Sequence, residues 1–196
     1  MKNPKIKIKT IQELQKQFQK FLKPHSKFHL VIPALKAPFI NQNTVIIELG
    51  GTHLKLYHPN NKGIIQKFKQ LDFYHNITYT PTLLNKQIFH HLKQFLSKKD
   101  LESLQKVFFI FAYPLEHFWR GNTLDGICLK FSKSHQSKGI IKSKIGLSLE
   151  KFLQQKCNLK AEVFTFNDSL STVFGNFNRS TDILNLGIIV GTGANC

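Results

Sequence analysis

The stretch TVIIELGGTHLKLY, residues 44–57, decides the fold. Thr44 to Leu49 is β-branched and apolar, Gly50 and Gly51 break the run, and Thr52 to Tyr57 alternates again. Two strands therefore meet across a glycine turn. Asn60, Asn61, Lys62 and Gly63 supply a second turn before a third strand at Ile64 to Lys69, which makes a β-meander. The first turn has chemical use: glycine lets the backbone approach a ligand closely, Thr52 adds a hydroxyl, and turn amides can point at an anion. A plain hairpin would need the same residues.

Downstream, apolar spacing predicts a helix over about 84–97, then Val107 to Phe111 reads as a buried parallel strand because its apolar run is continuous. A strand at Ile127 to Phe131 follows a polar, glycine-containing connection. Leu147 to Lys156 is a short amphipathic helix, Ala161 to Phe166 a buried strand, Leu170 to Phe177 a helix, and Ile183 to Val190 a strand ending in the turn Gly191, Thr192, Gly193. Upstream, Thr10 and Glu13 form a capping box for a helix over 10–23 with Ile11, Leu14 and Phe18 on one face, stopped by Pro24. Strands alternating with helices in this order give an α/β layer with a mixed sheet.

Composition bounds the rest. The 196 residues are 41% hydrophobic and include 18 Phe, enough for a sizeable core. The formal charge is +17, and all but two of the 28 basic side chains, Arg120 and Arg179, are lysine. Scattered lysines suit an anionic ligand but lack the arginine forks of nucleic-acid readers, so no nucleic-acid partner is expected. Cys128, Cys157 and Cys196 have neither disulfide-framework nor zinc spacing, which fits a reducing, cytoplasmic setting. No run approaches 18 apolar residues, so no membrane span is expected.

Two further places carry candidate chemistry. In FTFNDSLSTVFG, a buried strand ends at Asn167 and Asp168, and ligands bind at the carboxyl ends of strands in α/β sheets. Asp168 is thus a candidate base, or else the cap of the next helix. Glu48, beside the glycine turn, could hold a hydrated magnesium ion or pair with a neighbouring lysine.

Taken together, these motifs resemble the hexokinase family, sugar kinases of the actin-like ATPase superfamily. ELGGTHLK at Glu48–Lys55 is similar to the family's first phosphate motif, DLGGTNFR, and FAYP at Phe111–Pro114 to FSYP or FSFP. FSK at Phe131–Lys133 is similar to WTK, Asn167–Asp168 to the catalytic ND, and GTGAN at Gly191–Asn195 to the second phosphate motif. VIPALKAP, before the first strand, resembles the family's lead-in. The resemblance implies an α/β, actin-like ATPase (ribonuclease H-like) lobe with a mixed sheet. Residues 1–40 would be an N-terminal helix and lead-in, 41–180 the small lobe, and 181–196 the beginning of the large lobe, so that the sequence is expected to be part of a longer chain.

The implied activity is ATP-dependent phosphorylation of a glucose-like hexose at its 6-hydroxyl, the first step of glycolysis. Asp168 would be the base. Ser132, Lys133, Asn167 and Asn195 would bind the sugar, with Asp168. Gly50, Gly51, Thr52, His53, Lys55 and Thr192 would hold ATP, with Mg2+ on its phosphates and Glu48 a water-mediated metal contact. The chain departs from the family at Glu48 (for Asp), His53 (for Asn), Lys55 (for Arg), Ala112 (for Ser), and Ser134 with His135 (for Gly and an aromatic). These departures leave two alternatives: an inactive hexokinase-like sugar sensor or regulator, and a kinase for an amino sugar such as N-acetylglucosamine. The sequence sets no oligomeric state.

Overall fold

The computed structural model describes residues 40–73, 77–131, 136–168, 171, 189–190 and 194–195. The chain divides into the units Met1–Pro38 and Phe39–Cys196, and every described residue lies in the second. The predicted helix over 10–23 and most of that over 170–177 fall outside the described residues.

The element that organises the unit is a five-stranded sheet in the order β3-β2-β1-β5-β9. Here β1 is Thr44–Leu49, β2 His53–Pro59, β3 Ile65–Asp72, β5 Lys106–Phe111 and β9 Glu162–Phe166. The meander β1-β2-β3 is antiparallel, whereas β1, β5 and β9 run parallel. This is the mixed sheet that the sequence pattern requires. Parallel neighbours need long crossovers. The first carries β2, β3, α1 (Pro81–Phe95) and α2 (Lys98–Glu102). The second carries the hairpin β6 (Leu115–Arg120) and β7 (Thr123–Cys128), then α3 (Ile145–Cys157). Two-residue strands β4 (Thr78–Tyr79) and β8 (Gln136–Ser137) pair in parallel, and β10 (Ile189–Val190) pairs antiparallel with β11 (Ala194–Asn195).

One face of the sheet builds the core. Val45, Ile47, Leu49, Leu54, Leu56, Val107, Phe109, Phe111 and Val163 are buried there with Leu84, Ile88 and Leu92 of α1 and Leu149 and Leu153 of α3. Each such side chain contributes about 1.5–3 kcal/mol when fully buried. Asn85 of α1 donates to Ser148 Oγ of α3 at 3.0 Å, so the one buried amide between these helices is matched rather than stranded. On the opposite face Phe108 stacks on Phe164 and Phe166.

The structure departs most from the sequence reading at three places. Helix α1 begins at Pro81, three residues before the first periodic apolar position, because Thr80 Oγ1 accepts from the Leu83 amide and Pro81 sits in the first turn. The strand expected at Ile127 to Phe131 is Thr123–Cys128, the second arm of a hairpin whose turn residue Gly121 has φ +61°. The short α2, capped by Ser97, has no apolar periodicity and none of its residues is buried.

Candidate active site

Register brings the candidate residues to one edge. Leu49 of β1 is level with Phe111 of β5, and Ile110 of β5 with Phe166 of β9. The residues that follow, Gly50, Ala112 and Asn167, therefore leave the sheet side by side at the carboxyl ends of three parallel strands. That edge is where α/β sheets bind ligands.

The β1–β2 turn is closed by Gly50 N–H donating to the His53 carbonyl at 2.9 Å. It is anchored twice more: Phe73 N–H donates to the Thr52 carbonyl at 2.8 Å, and Tyr113 Oη to the Gly50 carbonyl at 3.3 Å. The geometry is a hairpin turn, yet among the described residues nothing gives a reason for glycine at position 50. Its φ is not in the left-handed region, and an added Cβ would meet only the His53 carbonyl oxygen, at an ordinary 3.5 Å. A bare backbone that neither conformation nor internal packing demands fits the close approach of something outside the chain. Thr52 is exposed, and its hydroxyl is hydrogen-bonded to His53 Nδ1 at 2.9 Å.

Glu48 and Lys55 are direct cross-strand partners. Lys55 Nζ donates to Glu48 Oε1 at 2.8 Å, and Tyr57 Oη donates to Oε2 at 2.9 Å. The pairing with a neighbouring lysine is what the structure has. Burial and the adjacent carboxylate push the Tyr57 hydroxyl well above the usual tyrosine range, so it remains a donor at neutral pH.

From β5, the Ala112 amide donates to the Leu49 carbonyl at 3.0 Å, extending the ladder one step past the strands. Tyr113 is 1% exposed, and its burial raises its hydroxyl far above the ordinary tyrosine value. Its ring stacks on Phe131 at 4.5 Å, and Phe131 also stacks on Phe111. Phe131 immediately precedes Ser132 and Lys133, so the chain is anchored on the same aromatic cluster as the turn up to the point where those two residues begin. Sequence reasoning assigned Tyr113 and Tyr57 no role; the signal for Tyr113 was its place in FAYP, between a buried strand and a proline.

At β9 the Asn167 carbonyl accepts from Ser171 N–H at 3.0 Å. The turn thus starts on Asn167, and Asp168 is its first residue rather than its cap. Ser171 Oγ donates to the Asp168 carbonyl at 2.7 Å. Ser132, Lys133 and Thr192 lie outside the described residues, and Asn195 is described only as a residue of β11.

The donor set can be tested against the groups that the resemblance implies. Among the described residues no cluster of three or more His, Cys, Asp or Glu could hold a metal ion. Each Glu48 oxygen already accepts from one donor, which fits the water-mediated metal contact that the resemblance implies rather than direct ligation. Such a site suits an ion carried in on phosphates with its own waters, not one caged by protein. A separate polar cleft, lined by His58, Asn61, Lys67 and Asp100 among others, lies at the opposite end of the sheet, beside the β2–β3 turn. Its carboxylate, Asp100, already faces Lys67 at 3.4 Å and accepts from Ser97.

A hexokinase from Schistosoma mansoni complexed with glucose matches over 94% of this chain, with a TM-score of 0.63 and 17% identity. The fold is hexokinase-like. The match covers 43% of that protein, so this chain spans less than half its length. No family model matches the sequence, and no curated protein does. No helix among the described residues is long and apolar enough to cross a membrane.

Proposed function

We propose that the carboxyl edge of β1, β5 and β9 belongs to a hexokinase-type phosphotransferase that moves the γ-phosphoryl group of ATP to the 6-hydroxyl of a glucose-like hexose. The observation that carries this reading is the convergence at one edge of a turn whose Gly50 no described residue requires, an aromatic anchor and an Asn-Asp pair. The hexokinase-like fold supports it.

In this reading the Asp168 carboxylate accepts the proton of the sugar hydroxyl as that oxygen attacks the γ-phosphorus and the bond to ADP breaks. Asn167, with Ser132, Lys133 and Asn195, hydrogen-bonds the other hydroxyls and leaves a polar group unpaired when the wrong sugar enters. The Gly50–Thr52 backbone, the His53 ring and the Lys55 ammonium face the nucleotide phosphates, with Thr192 from the second motif. Magnesium, bound to those phosphates, supplies charge neutralisation. Phosphoryl transfer asks the protein mainly for positioning and electrostatics, which rigid strand ends provide.

A second reading, a sugar-binding regulator without catalysis, is favoured by Glu48 being held by Lys55 and Tyr57, and by Ala112, which has no hydroxyl. One assay separates the two. Full-length protein carrying Asp168→Asn is compared with wild type for hexose 6-phosphate formation and, independently, for glucose binding by calorimetry. The kinase reading expects wild-type turnover and a loss of at least about a hundredfold in the variant with binding retained, a general base contributing about 10²–10⁴. Glucose binding without turnover in wild type itself leaves the regulator.

A further inference from the structure

The placement of Glu48 points to a role other than metal holding. It lies two residues before Gly50, directly across from Lys55, which lies three residues after Thr52. Its side chain is 27% exposed and that of Lys55 31%, so the pair is accessible at the rim of the turn rather than locked in the core. Each oxygen already has a donor: Lys55 Nζ at 2.8 Å and Tyr57 Oη at 2.9 Å. Tyr57 in turn packs on Phe68 with ring centroids 5.0 Å apart, which fixes the direction of its hydroxyl.

We infer that Glu48 is the counter-ion of an anion-binding lysine: it neutralises Lys55 when the turn is empty and so sets how strongly the turn draws phosphate. The inference rests on reading the Gly50–Thr52 turn as the nucleotide-phosphate site. An ammonium group has three donors and gives one to Glu48, so two stay available to an incoming oxygen while Glu48 keeps its own bond. Charge then decides the affinity. A carboxylate a few ångströms from the phosphate opposes binding through partly screened solvent, and its removal leaves the full lysine charge to attract.

The probe is metal-free tripolyphosphate, titrated by calorimetry into the full chain and its variants, with magnesium-loaded ATP as a second titrant. Glu48→Gln keeps the length of the side chain and an acceptor for Tyr57; Glu48→Met is a second neutral variant. Both are expected to tighten tripolyphosphate about fivefold, on the order of 1 kcal/mol. In a Lys55→Gln background the same changes are expected to give a clearly smaller gain, about twofold or less, because only the direct, screened repulsion between carboxylate and phosphate is then relieved. Equal effects in both backgrounds, or none, overturn the inference. So does a Glu48→Gln chain that loses magnesium-loaded ATP while its tripolyphosphate affinity stays put, since that assigns Glu48 to the metal. If Lys55→Gln and Gly50→Ala both leave wild-type affinity unmoved, the turn is not a phosphate site, and the parent reading fails with the inference.

Discussion

The β1–β2 turn and the start of α3 each pair a glycine with a carboxylate, and they use the pair in opposite ways. At α3 the carboxylate is Asp125, 0% exposed, which accepts from the amides of Gly126 and Gly146 at 2.7 Å and of Leu147 at 2.8 Å. It caps the helix from another element, since Lys144 at the N-cap position makes no side-chain cap. The Arg120 guanidinium lies 3.7 Å from Asp125 and makes a two-bond pair with Glu150 of α3 at 2.8 and 2.7 Å; Glu150 also accepts from the Val163 amide of β9. Gly146 has no room: a Cβ there would stand 2.7 Å from Asp125 Oδ1 and closer still to Thr165 Oγ1. The glycine and the carboxylate of that region are both explained by the chain's own packing. At the β1–β2 turn the carboxylate is held by two side chains at the surface, and the glycine has space around it. On the proposed function, the openness around Gly50 among the described residues, not charge or glycine content as such, is what distinguishes the β1–β2 turn as the ligand site.

The largest effect expected from breaking this contrast is at Asp125. Asp125→Ala strands two helix amides and removes the buried carboxylate beside the half-buried Arg120 guanidinium, and should cost about 3–5 kcal/mol, read as a lowered denaturant midpoint. An equal loss for Glu48→Ala would erase the distinction drawn between the two carboxylates.

Next comes pH, acting on the same hairpin as Asp125. His117 of β6 is held by burial at a pKa of about 4, below the ordinary 6.5. The folded state therefore resists protonation that the unfolded chain accepts, and stability falls as pH drops from about 6.5 toward 4, by roughly 2–3 kcal/mol. Burial lowers His91 in the same direction. Melting temperatures across that window should fall less steeply in His117→Gln than in wild type; identical slopes would remove His117 as a source.

The smallest effects sharpen the comparison most. Gly146→Ala should lose about 1–3 kcal/mol from overpacking, while Gly50→Ala should stay within about 0.5 kcal/mol and instead weaken tripolyphosphate binding. Thermal melts and calorimetry on the two variants separate a glycine that serves packing from one that serves a ligand.

Much of this was legible in the sequence, for physical reasons. The continuous apolar run VFFIF read as a buried parallel strand, and the β-branched and aromatic residues of TVIIEL and EVFTF marked β1 and β9 as strands, while their shared edge became visible only through register. The β6 arm was not legible because LEHFWR shows no alternation: its residues are half-buried or exposed without period. The start of α1 was coded in Thr80-Pro81, a capping signal rather than an apolar one. Asp168 could be singled out because it follows a buried strand, but whether it capped the next turn depended on backbone hydrogen bonding that no residue type determines. Tyr57 and Tyr113 act across strands, and pairings of that kind depend on register.

The most direct test of the account is amide hydrogen exchange on the full-length protein, alone, with glucose and with tripolyphosphate. Tripolyphosphate should slow exchange at Gly51 and Thr52, and glucose at Phe131–Lys133 and Asn167–Asp168, with the β2–β3 cleft around Asn61 and Lys67 unchanged. Protection confined to that cleft, or none at the carboxyl edge of β1, β5 and β9 with either ligand, would contradict it.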